Sequence, residues 1–322
     1  MKADINIIAE KCNVSKATVS RVFTRKAGVS QVVRERILKA ARELNYAPEK
    51  VVAQENICIV SDAIQSDNKD EFYYILTANL VAAITCYGYT VKIVPTAAVN
   101  LLFQEYTKVI IFLAPYREEF DDLSIPLLVI NQDCNRAHSI CLDHAEEIEQ
   151  AVAYLVKNGH RKIALVQDND KCWGGVERHR GYLASMAKHN LPPLPEFCYQ
   201  ENNFSMIEIM AKVRCTTATA VIVCGEGLVA ETNYAMHILG IKIPDDLSLI
   251  TFEQKNFSKW LIPPHTTINQ DIKILLREIM TAVSQIVRAP LMPPIKMMLK
   301  SELVIRDTVK NISSYDRQLP EL

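Results

Sequence analysis

The stretch from Ser15 to Arg21 combines short hydroxyl side chains with two long cations. A helix over this stretch turns Val19, Val22 and Phe23 inward. Its outer face then carries Lys16, Ala17, Thr18, Ser20 and Arg21. Side chains of these types bind phosphates and base edges in the major groove of DNA. The segment therefore predicts a DNA-contacting helix.

Two further helices are predicted around it. The apolar pattern of the first breaks at Asn13, a residue type that tolerates the left-handed backbone, and Ser15 can cap the next helix with its hydroxyl. An apolar stripe within residues 31–44, behind Ser30, predicts a third helix that closes a small core. This pattern predicts a helix-turn-helix domain. The alternative is a small helical domain that binds protein or packs internally.

The charge of the chain is concentrated at its beginning. Residues 1–50 contain eleven of the 36 Lys and Arg residues and five of the 37 Asp and Glu residues, a net charge of +6. The rest of the chain is therefore at −7, because the total is −1. A basic head on an acidic body is typical of a nucleic-acid-binding protein.

Beyond residue 56 the pattern alternates between strands and helices. The predicted strands are apolar on both faces, as in a parallel sheet covered by helices: Ile57–Val60, Thr90–Val94, Val109–Leu113, Leu127–Ile130, Ile163–Val166, Ala220–Cys224 and Leu247–Phe252. Predicted helices include Glu71–Tyr87, Ala145–Asn158, Glu177–His189 and Glu226–Leu239, and Gly88, Gly159 and Gly240 are expected to end three of them. So many strands predict two doubly wound α/β lobes with a cleft between them.

The cysteines and the beginning of the chain indicate the cellular compartment. The nine cysteines are odd in number and lack any Cys-x-x-Cys spacing, and several, such as Cys58 and Cys224, lie in apolar strands as small hydrophobes. This pattern predicts a reducing cytoplasm, with no disulfide framework and no zinc site. The polar beginning of the chain and the absence of a long apolar run predict neither a secretory signal nor a membrane span.

The order and spacing of several short motifs resemble those of lactose-repressor/galactose-repressor (LacI/GalR) family transcription regulators. The head carries Val14-Ser15-x-x-Thr18-Val19-Ser20-Arg21-Val22, then Arg34-Glu35-Arg36-Ile37 and Glu43-Leu44-Asn45-Tyr46-x-Pro48. The body carries Gly159-His160-Arg161-Lys162-Ile163-Ala164, Glu177-Arg178-x-x-Gly181-Tyr182, Pro244-Asp245-Asp246-Leu247-Ser248, Pro263-Pro264-x-Thr266-Thr267-Ile268-x-Gln270 and Leu303-Val304-Ile305-Arg306-Asp307. The resemblance covers nearly the whole chain.

This resemblance implies an organisation and an assembly. The head is expected at 1–47, a hinge at 48–56, a first lobe at 57–140 with 270–290, a second lobe at 141–269 with 291–310, and a tail at 311–322. The body is expected to resemble a periplasmic sugar-binding protein, with three segments of chain crossing between its lobes. The expected assembly is a homodimer whose paired heads bind a pseudo-palindromic DNA operator.

The resemblance also implies roles for the outer face of the second helix. Lys16, Ala17 and Arg21 stand where the family reads bases. Ser15, Thr18 and Ser20 stand nearer to the phosphates, although Thr18 and Ser20 have the alternative of ordinary helix-surface hydroxyls. Arg21 can bind guanine with two hydrogen bonds, which is worth about 1–3 kcal/mol of discrimination.

The hinge departs from the family pattern because it is short. Glu55 stands where the family has a leucine that wedges into the minor groove, and a carboxylate cannot replace an apolar wedge. Two interpretations stay open: Val51 or Val52 inserts instead, or the hinge is only a linker and the DNA is not kinked. A second shortening, between Val94 and Val109, predicts a shorter helix on one face of the first lobe.

The expected effector cleft is also only partly matched. The positions carried over are Tyr73, Asn131, Arg178, Gly225 and Glu253. Arg178 is expected to hold sugar hydroxyls or a carboxylate, with a salt bridge in the cleft wall as the alternative. Glu253 is expected to accept from ligand hydroxyls, with a solvated loop as the alternative. Asp143-His144 replaces the family's Asp-Asn pair, so the set of sugar-binding residues is incomplete. The residues that remain still predict a polar, sugar-like ligand.

The sequence favours a DNA-binding regulator over the other classes of function. The leading hypothesis is a DNA-binding repressor gated by a small polar metabolite, and the alternative is a ligand-independent regulator whose core serves only for dimerisation. An exported solute-binding protein is disfavoured by the basic head. The chain contains no Gly-x-Ser-x-Gly, Gly-x-x-x-x-Gly-Lys or His-Glu-x-x-His motif, so no enzymatic activity, cofactor or metal is expected. His160 is expected to hydrogen-bond backbone.

Overall fold

The computed structural model describes residues 5–23, 29–44, 46, 56–63, 71–99, 107–167, 172–195, 197–198, 205–225, 227–254 and 256–313. The chain begins with three helices, α1 (Ile5–Lys11), α2 (Lys16–Phe23) and α3 (Gln31–Glu43). Their apolar faces meet in a small core, whose fully buried members include Ile8, Val19 and Ile37. The predicted three-helix head is therefore confirmed.

The turn between α1 and α2 follows the prediction in detail. Asn13 has a left-handed backbone, with φ at +48°. The Ser15 hydroxyl oxygen accepts a hydrogen bond from the backbone N–H of Thr18 at 3.0 Å. This bond satisfies one of the donors left open at the start of a helix, so it fixes where α2 begins.

The first lobe is built on a parallel sheet in the order β11-β5-β4-β3-β1-β2. Its strands are β1 (Asn56–Val60), β2 (Thr90–Val94), β3 (Thr107–Phe112), β4 (Leu127–Ile130), β5 (His138–Leu142) and β11 (Lys296–Leu299). Helices α4 (Glu71–Cys86) and α9 (Ile272–Arg288) cover one face, where Leu80 and Ile279 join the apolar core. A second apolar cluster around Phe112 and Phe120 fills the other face.

The second lobe has a six-stranded sheet in the order β12-β10-β9-β8-β6-β7, in which only β12 pairs antiparallel. Its strands are β6 (Ile163–Gln167), β7 (Phe197–Cys198), β8 (Ala220–Cys224), β9 (Ser248–Glu253), β10 (Thr266–Asn269) and β12 (Glu302–Val304). Helices α5 (His144–Lys157) and α6 (Trp173–Lys188) cover one face, and α7 (Met206–Cys215) and α8 (Leu228–Ile238) cover the other. The two doubly wound lobes are thus confirmed.

All seven strands predicted from the sequence are present, with ends displaced by no more than two residues. The predicted helix ends at Gly88, Gly159 and Gly240 are also confirmed, since all three have positive φ. At Gly159 a side chain would be excluded twice over, because φ is +92° and a Cβ would lie 2.6 Å from the backbone nitrogen of Ser313. Helix α6 begins at Trp173 rather than at the predicted Glu177. The local sequence disfavours this first turn because Gly174 and Gly175 are poor helix formers, but both are buried there and Gly174 packs against His144.

The chain passes between the two sheets three times among the described residues. The first passage follows β5, the second lies between β10 and α9, and the third lies between β11 and β12. We call these passages the three crossovers. They correspond in number to those that the family resemblance implies.

The structure moves two of the predicted lobe boundaries. Residues 141–142 and 296–299 fall in the predicted second lobe, whereas β5 and β11 both belong to the first sheet. Strand β11 pairs in parallel with β5, with Lys296 opposite Ser139 and Leu299 opposite Leu142. The residues of β11 are exposed or half-buried, so the sequence of this edge strand gives little apolar pattern. Its place is decided by pairing with a strand more than 150 residues earlier in the chain.

Candidate DNA-binding helix and inter-lobe cleft

The outer face of α2 carries the predicted DNA-contacting side chains. Lys16, Ala17, Ser20 and Arg21 are exposed, and Thr18 is half-buried. The opposite face is held in the core of the head, where Val19 is fully buried and Val22 nearly so. Two cations and a methyl group are therefore exposed together on a helix whose opposite face is packed in the core of the head.

Ser15 and Thr18 also act within the head itself. Besides capping α2, the Ser15 hydroxyl oxygen lies 2.8 Å from the Thr18 hydroxyl oxygen, so one of the two hydroxyls donates to the other. Val51, Val52 and Glu55, on which the hinge interpretations rest, lie outside the described residues.

Asn131 stands directly after β4, at the carboxyl end of the first sheet. Its backbone is left-handed, with φ at +59°. Its side-chain oxygen accepts a hydrogen bond from the Leu142 N–H at 3.2 Å and lies 3.0 Å from His144 Nε2. This oxygen therefore joins the end of β4 to the beginning of α5.

Arg178 projects from α6 and is half-buried. Its guanidinium carbon lies 5.8 Å from the centroid of the Phe252 ring, within the range of a cation–π contact. Its positive charge also helps to lower the pKa of Glu147 on the neighbouring helix α5. Arg178 therefore acts on the buried Glu147 through its charge, in addition to its contact with the Phe252 ring.

Glu253, at the end of β9, is fully buried. One carboxylate oxygen accepts from the Ser258 N–H at 2.9 Å, and the other from Arg306 Nη2 at 3.0 Å. The alternative that Glu253 lies in a solvated loop is therefore wrong, because an ion pair and a backbone donor hold the side chain inside the lobe. The sequence had marked Arg306 only as part of a motif. The structure shows that it also binds the His265 carbonyl oxygen and the Asn256 side-chain oxygen.

Gly225 and Tyr73 complete the predicted set. Gly225 follows β8 with φ at +128°, a backbone conformation that favours glycine, and its carbonyl oxygen accepts from the Leu228 N–H. Tyr73 on α4 is half-buried against the first-lobe core, with its ring centroid 5.2 Å from that of Phe72. Asn131, Gly225 and Glu253 thus lie at carboxyl ends of strands, where ligands of doubly wound sheets bind. Tyr73 instead belongs to helix α4 and packs against the first-lobe core.

The sequence did not reveal a cluster of polar side chains at the three crossovers. Glu147 on α5 is fully buried and binds His144, Gln270 and Ser301. Burial raises the pKa of Glu147, but the charge of His144, hydrogen bonds from His144 and Ser301, and the charge of Arg178 together bring it below its usual value. Asp143-His144 and Gln270 stood in sequence motifs, but nothing in their spacing predicted that they meet.

Two histidines of the second lobe have structural roles. His160 lies 3.0 Å from the Lys310 carbonyl oxygen and 3.0 Å from the Thr219 hydroxyl, which confirms the predicted backbone hydrogen bond. Burial lowers the pKa of His160. Burial, reinforced by the charge of Arg306, lowers the pKa of His265 to about 4, although Glu253 acts in the opposite direction.

Comparison with known proteins identifies the chain. The family of bacterial regulatory proteins, lacI family, matches residues 4–49, and a periplasmic binding protein-like domain matches residues 152–309. The chain belongs to the LacI family. It is a DNA-binding transcription regulator rather than an enzyme, which agrees with both predictions from the sequence.

Two LacI-family relatives match over almost their full length. The HTH-type transcriptional repressor PurR of Vibrio parahaemolyticus is 26% identical over 342 residues, covering 97% of this chain and all of the relative. The probable HTH-type transcriptional repressor ExuR of Bacillus subtilis is 23% identical over 340 residues, covering 96% of this chain and 99% of the relative.

The fold of this LacI-family chain also matches a solved structure. The lac repressor dimer bound to operator and the anti-inducer ONPF superimposes with a TM-score of 0.69 at 22% identity, covering 96% of this chain and all of that one. None of the helices in the described ranges is both long and apolar enough to cross a membrane.

Proposed function

We propose that the chain is a cytoplasmic transcriptional repressor that binds a pseudo-palindromic operator as a homodimer. The observation that carries this proposal is the outer face of α2, where Lys16, Ala17, Ser20 and Arg21 are exposed together on a capped helix. In this assignment Lys16, Ala17 and Arg21 contact bases, while Ser15, Thr18 and Ser20 contact phosphates. The net charge of +6 on residues 1–50 adds attraction to the DNA backbone.

Selection of bound sequences from random duplex DNA tests this assignment. The full-length protein is used at one fixed salt concentration, because phosphate contacts make affinity depend on salt. A pseudo-palindrome is expected, and a flexible pyrimidine–purine step at its centre would support insertion of Val51 or Val52. A lone half-site would contradict dimeric binding, and recovery of no sequence would contradict the α2 assignment.

The proposed dimer needs an apolar surface, and the second lobe offers one. Large apolar side chains are exposed on α8 and on the loop after β9: Tyr234, Ile238, Trp260 and Ile262. Trp260 is 78% and Ile262 94% exposed. The helix and the loop are neighbours, because His265 lies 3.3 Å from the Asn233 side-chain oxygen on α8. Since large exposed apolar patches typically mark interfaces, we propose that these four side chains form part of the dimer surface.

The oligomeric state tests this surface. Trp260→Asp is expected to shift the sedimentation of the full-length protein from dimer to monomer. Leu291→Asp is the matched control, because Leu291 is 99% exposed just after α9 in the first lobe. A dimer that survives Trp260→Asp would place the interface elsewhere.

We further propose that a small, polar, sugar-like metabolite binds between the lobes and gates operator binding. Arg178 and Gly225 support this proposal, since they lie at the carboxyl-end side of the second sheet. The family resemblance adds Tyr73, Asn131 and Glu253. A gating ligand must prefer one arrangement of the lobes over the other, typically by 1–3 kcal/mol.

A ligand-independent regulator is the second candidate, and specific contacts favour it. The Asn131 side-chain oxygen and both carboxylate oxygens of Glu253 already accept hydrogen bonds within the protein. In the arrangement described here, two of the five proposed ligand positions therefore have their acceptor oxygens engaged. In this alternative the core serves only to hold the dimer.

Thermal unfolding with a panel of sugars, sugar acids and nucleosides separates the two candidates. A ligand present at a hundred times its Kd stabilises the folded core by about 2.7 kcal/mol, which raises the melting temperature by several degrees. Arg178→Ala should abolish the shift while leaving operator binding unchanged. No shift from any compound at millimolar concentration would favour the ligand-independent regulator.

A further inference from the structure

The three crossovers connect the lobes at three separate places in the sequence. Polar side chains stand at each of them: His144 after β5, Gln270 after β10, and Ser301 between β11 and β12. All three side chains are at least nine-tenths buried. Buried polar groups need hydrogen-bond partners, so the question is what these three bind.

All three bind the carboxylate of Glu147. His144 Nδ1 lies 2.8 Å from one carboxylate oxygen, Gln270 Nε2 donates to both oxygens at 3.0 Å, and the Ser301 hydroxyl donates to the other oxygen. Glu147 is fully excluded from solvent. A single carboxylate on α5 thus holds one donor from each crossover.

The contacts of His144 show that the pair is ionic. Its Nδ1 faces the Glu147 carboxylate, and its Nε2 faces the Asn131 side-chain oxygen, which also accepts from the Leu142 N–H. Both ring nitrogens therefore face acceptors. An imidazole satisfies two acceptors only when both nitrogens carry a proton, so His144 is a cation paired with the Glu147 anion.

Neighbouring residues extend the same cluster. Gln150, about one turn along α5, donates to the Ser301 carbonyl oxygen at 3.0 Å and accepts from the Leu303 N–H at 3.2 Å. Helix α6 packs directly against the His144 ring. A Cβ at Gly174 would lie 2.9 Å from His144 Nε2, and the Trp173 ring is centred 5.7 Å from the imidazole.

We infer that Glu147 locks the three crossovers to one another, so that the segments joining the two lobes open and unfold as one unit. The physical reason is the placement of the charge. If a crossover moves away from Glu147, a buried carboxylate loses a donor that water does not replace, and such a loss is costly. The inference does not depend on DNA binding or on an effector.

Hydrogen exchange of the full-length protein tests the lock. Glu147→Gln keeps the shape but removes the charge. Its matched control is Glu149→Gln on the same helix, where the carboxylate pairs with Lys188 at the surface. In Glu147→Gln, amides at 142–147, 269–272 and 299–303 should all exchange at least tenfold faster. Strands β6 and β8 should keep their rates, and Glu149→Gln should change none of the three segments.

The pattern of exchange decides the outcome. Faster exchange confined to 142–147 would overturn the inference, because Glu147 would then stabilise only the beginning of its own helix. If Glu147→Gln does not fold, Ser301→Ala answers the same question, since it removes one donor and keeps the charge. Faster exchange at both 299–303 and 269–272 is then expected, and an effect restricted to 299–303 would again overturn the inference.

Discussion

Charged side chains have opposite roles on the outer face of α2 and in the cluster at the three crossovers, which consists of His144, Glu147, Gln270 and Ser301. On α2, Lys16 and Arg21 are exposed and extend from a helix that is fixed by an apolar core. At the crossovers, His144 and Glu147 are buried and bind each other. Exposed charges stay available for a partner, whereas buried charges need internal partners and so hold the structure. The two regions should therefore respond in opposite ways to substitution.

The largest expected effect is on stability. Glu147→Ala leaves the His144 cation and the Gln270 and Ser301 donors without their shared acceptor, and is expected to lower the free energy of unfolding by about 3–5 kcal/mol. Urea denaturation measures this loss. Glu149→Ala, on the exposed side of the same helix, should change it by less than about 1 kcal/mol. If both substitutions lower the free energy of unfolding equally, burial of the Glu147 carboxylate does not give it a special structural role.

The next effect is on DNA affinity with no effect on stability. Arg21→Ala is expected to weaken specific operator binding by about 1–3 kcal/mol, roughly fivefold to more than a hundredfold, because one base contact is lost. The melting temperature should stay unchanged, since Arg21 is exposed. Arg277→Ala is the control, because Arg277 is an exposed arginine on α9 outside the head. Unchanged binding titrations for Arg21→Ala would contradict the α2 assignment.

A smaller effect follows from the pKa of His265. Its folded pKa of about 4 lies below the usual value of 6.5, so the unfolded chain binds the proton more tightly. Stability is therefore fully present above pH 6.5 and falls as the pH falls toward 4. Between pH 6.5 and 5 the expected loss is about 2 kcal/mol.

The variant His265→Gln isolates this contribution. His138 and His160 also have pKa values lowered by burial, so the wild-type protein keeps part of its pH dependence from them. Unfolding free energies of both proteins, measured at several pH values above 5, should show a flatter profile for the variant. Identical slopes would mean that His265 is protonated in the folded lobe.

The smallest expected effect concerns the helix cap of α2. Ser15→Ala removes the acceptor for the Thr18 N–H and should destabilise α2 by about 1 kcal/mol. Hydrogen exchange across residues 16–23 measures this change. Ser30→Ala is the comparison, because the Ser30 hydroxyl oxygen accepts from Val33 at a longer distance, 3.4 Å, and should matter less. A larger effect of Ser30→Ala would contradict this order.

The head was predictable because its determinants are local. Asn13, Ser15 and the apolar residues of α2 act within a few positions of one another, and their backbone angles and hydrogen bonds agree with the prediction. The same holds for the strands, whose apolar runs continue through buried positions. Weakly patterned segments were not predictable in this way. Strand β11 and the beginning of α6 are placed by pairing and packing against distant residues.

The predicted cleft residues show the same limit. The sequence identified Asn131, Arg178 and Glu253 by position, but it could not tell which of their polar atoms face each other or the interior. Glu253 is paired with Arg306, which lies 53 residues away, and Asn131 faces His144. Whether a side chain is available to a ligand depends on such distant partners.

The sequence by itself determined a basic helix-turn-helix head, two α/β lobes and membership of a repressor-like family, because periodicity, charge and motif spacing are properties of neighbouring residues. Only the tertiary structure decided that Glu147 meets Gln270 and Ser301, which lie 123 and 154 residues further along the chain. No local pattern encodes such a meeting. It arises because both sheets direct their connecting segments through one junction, where a buried charge must find its partners.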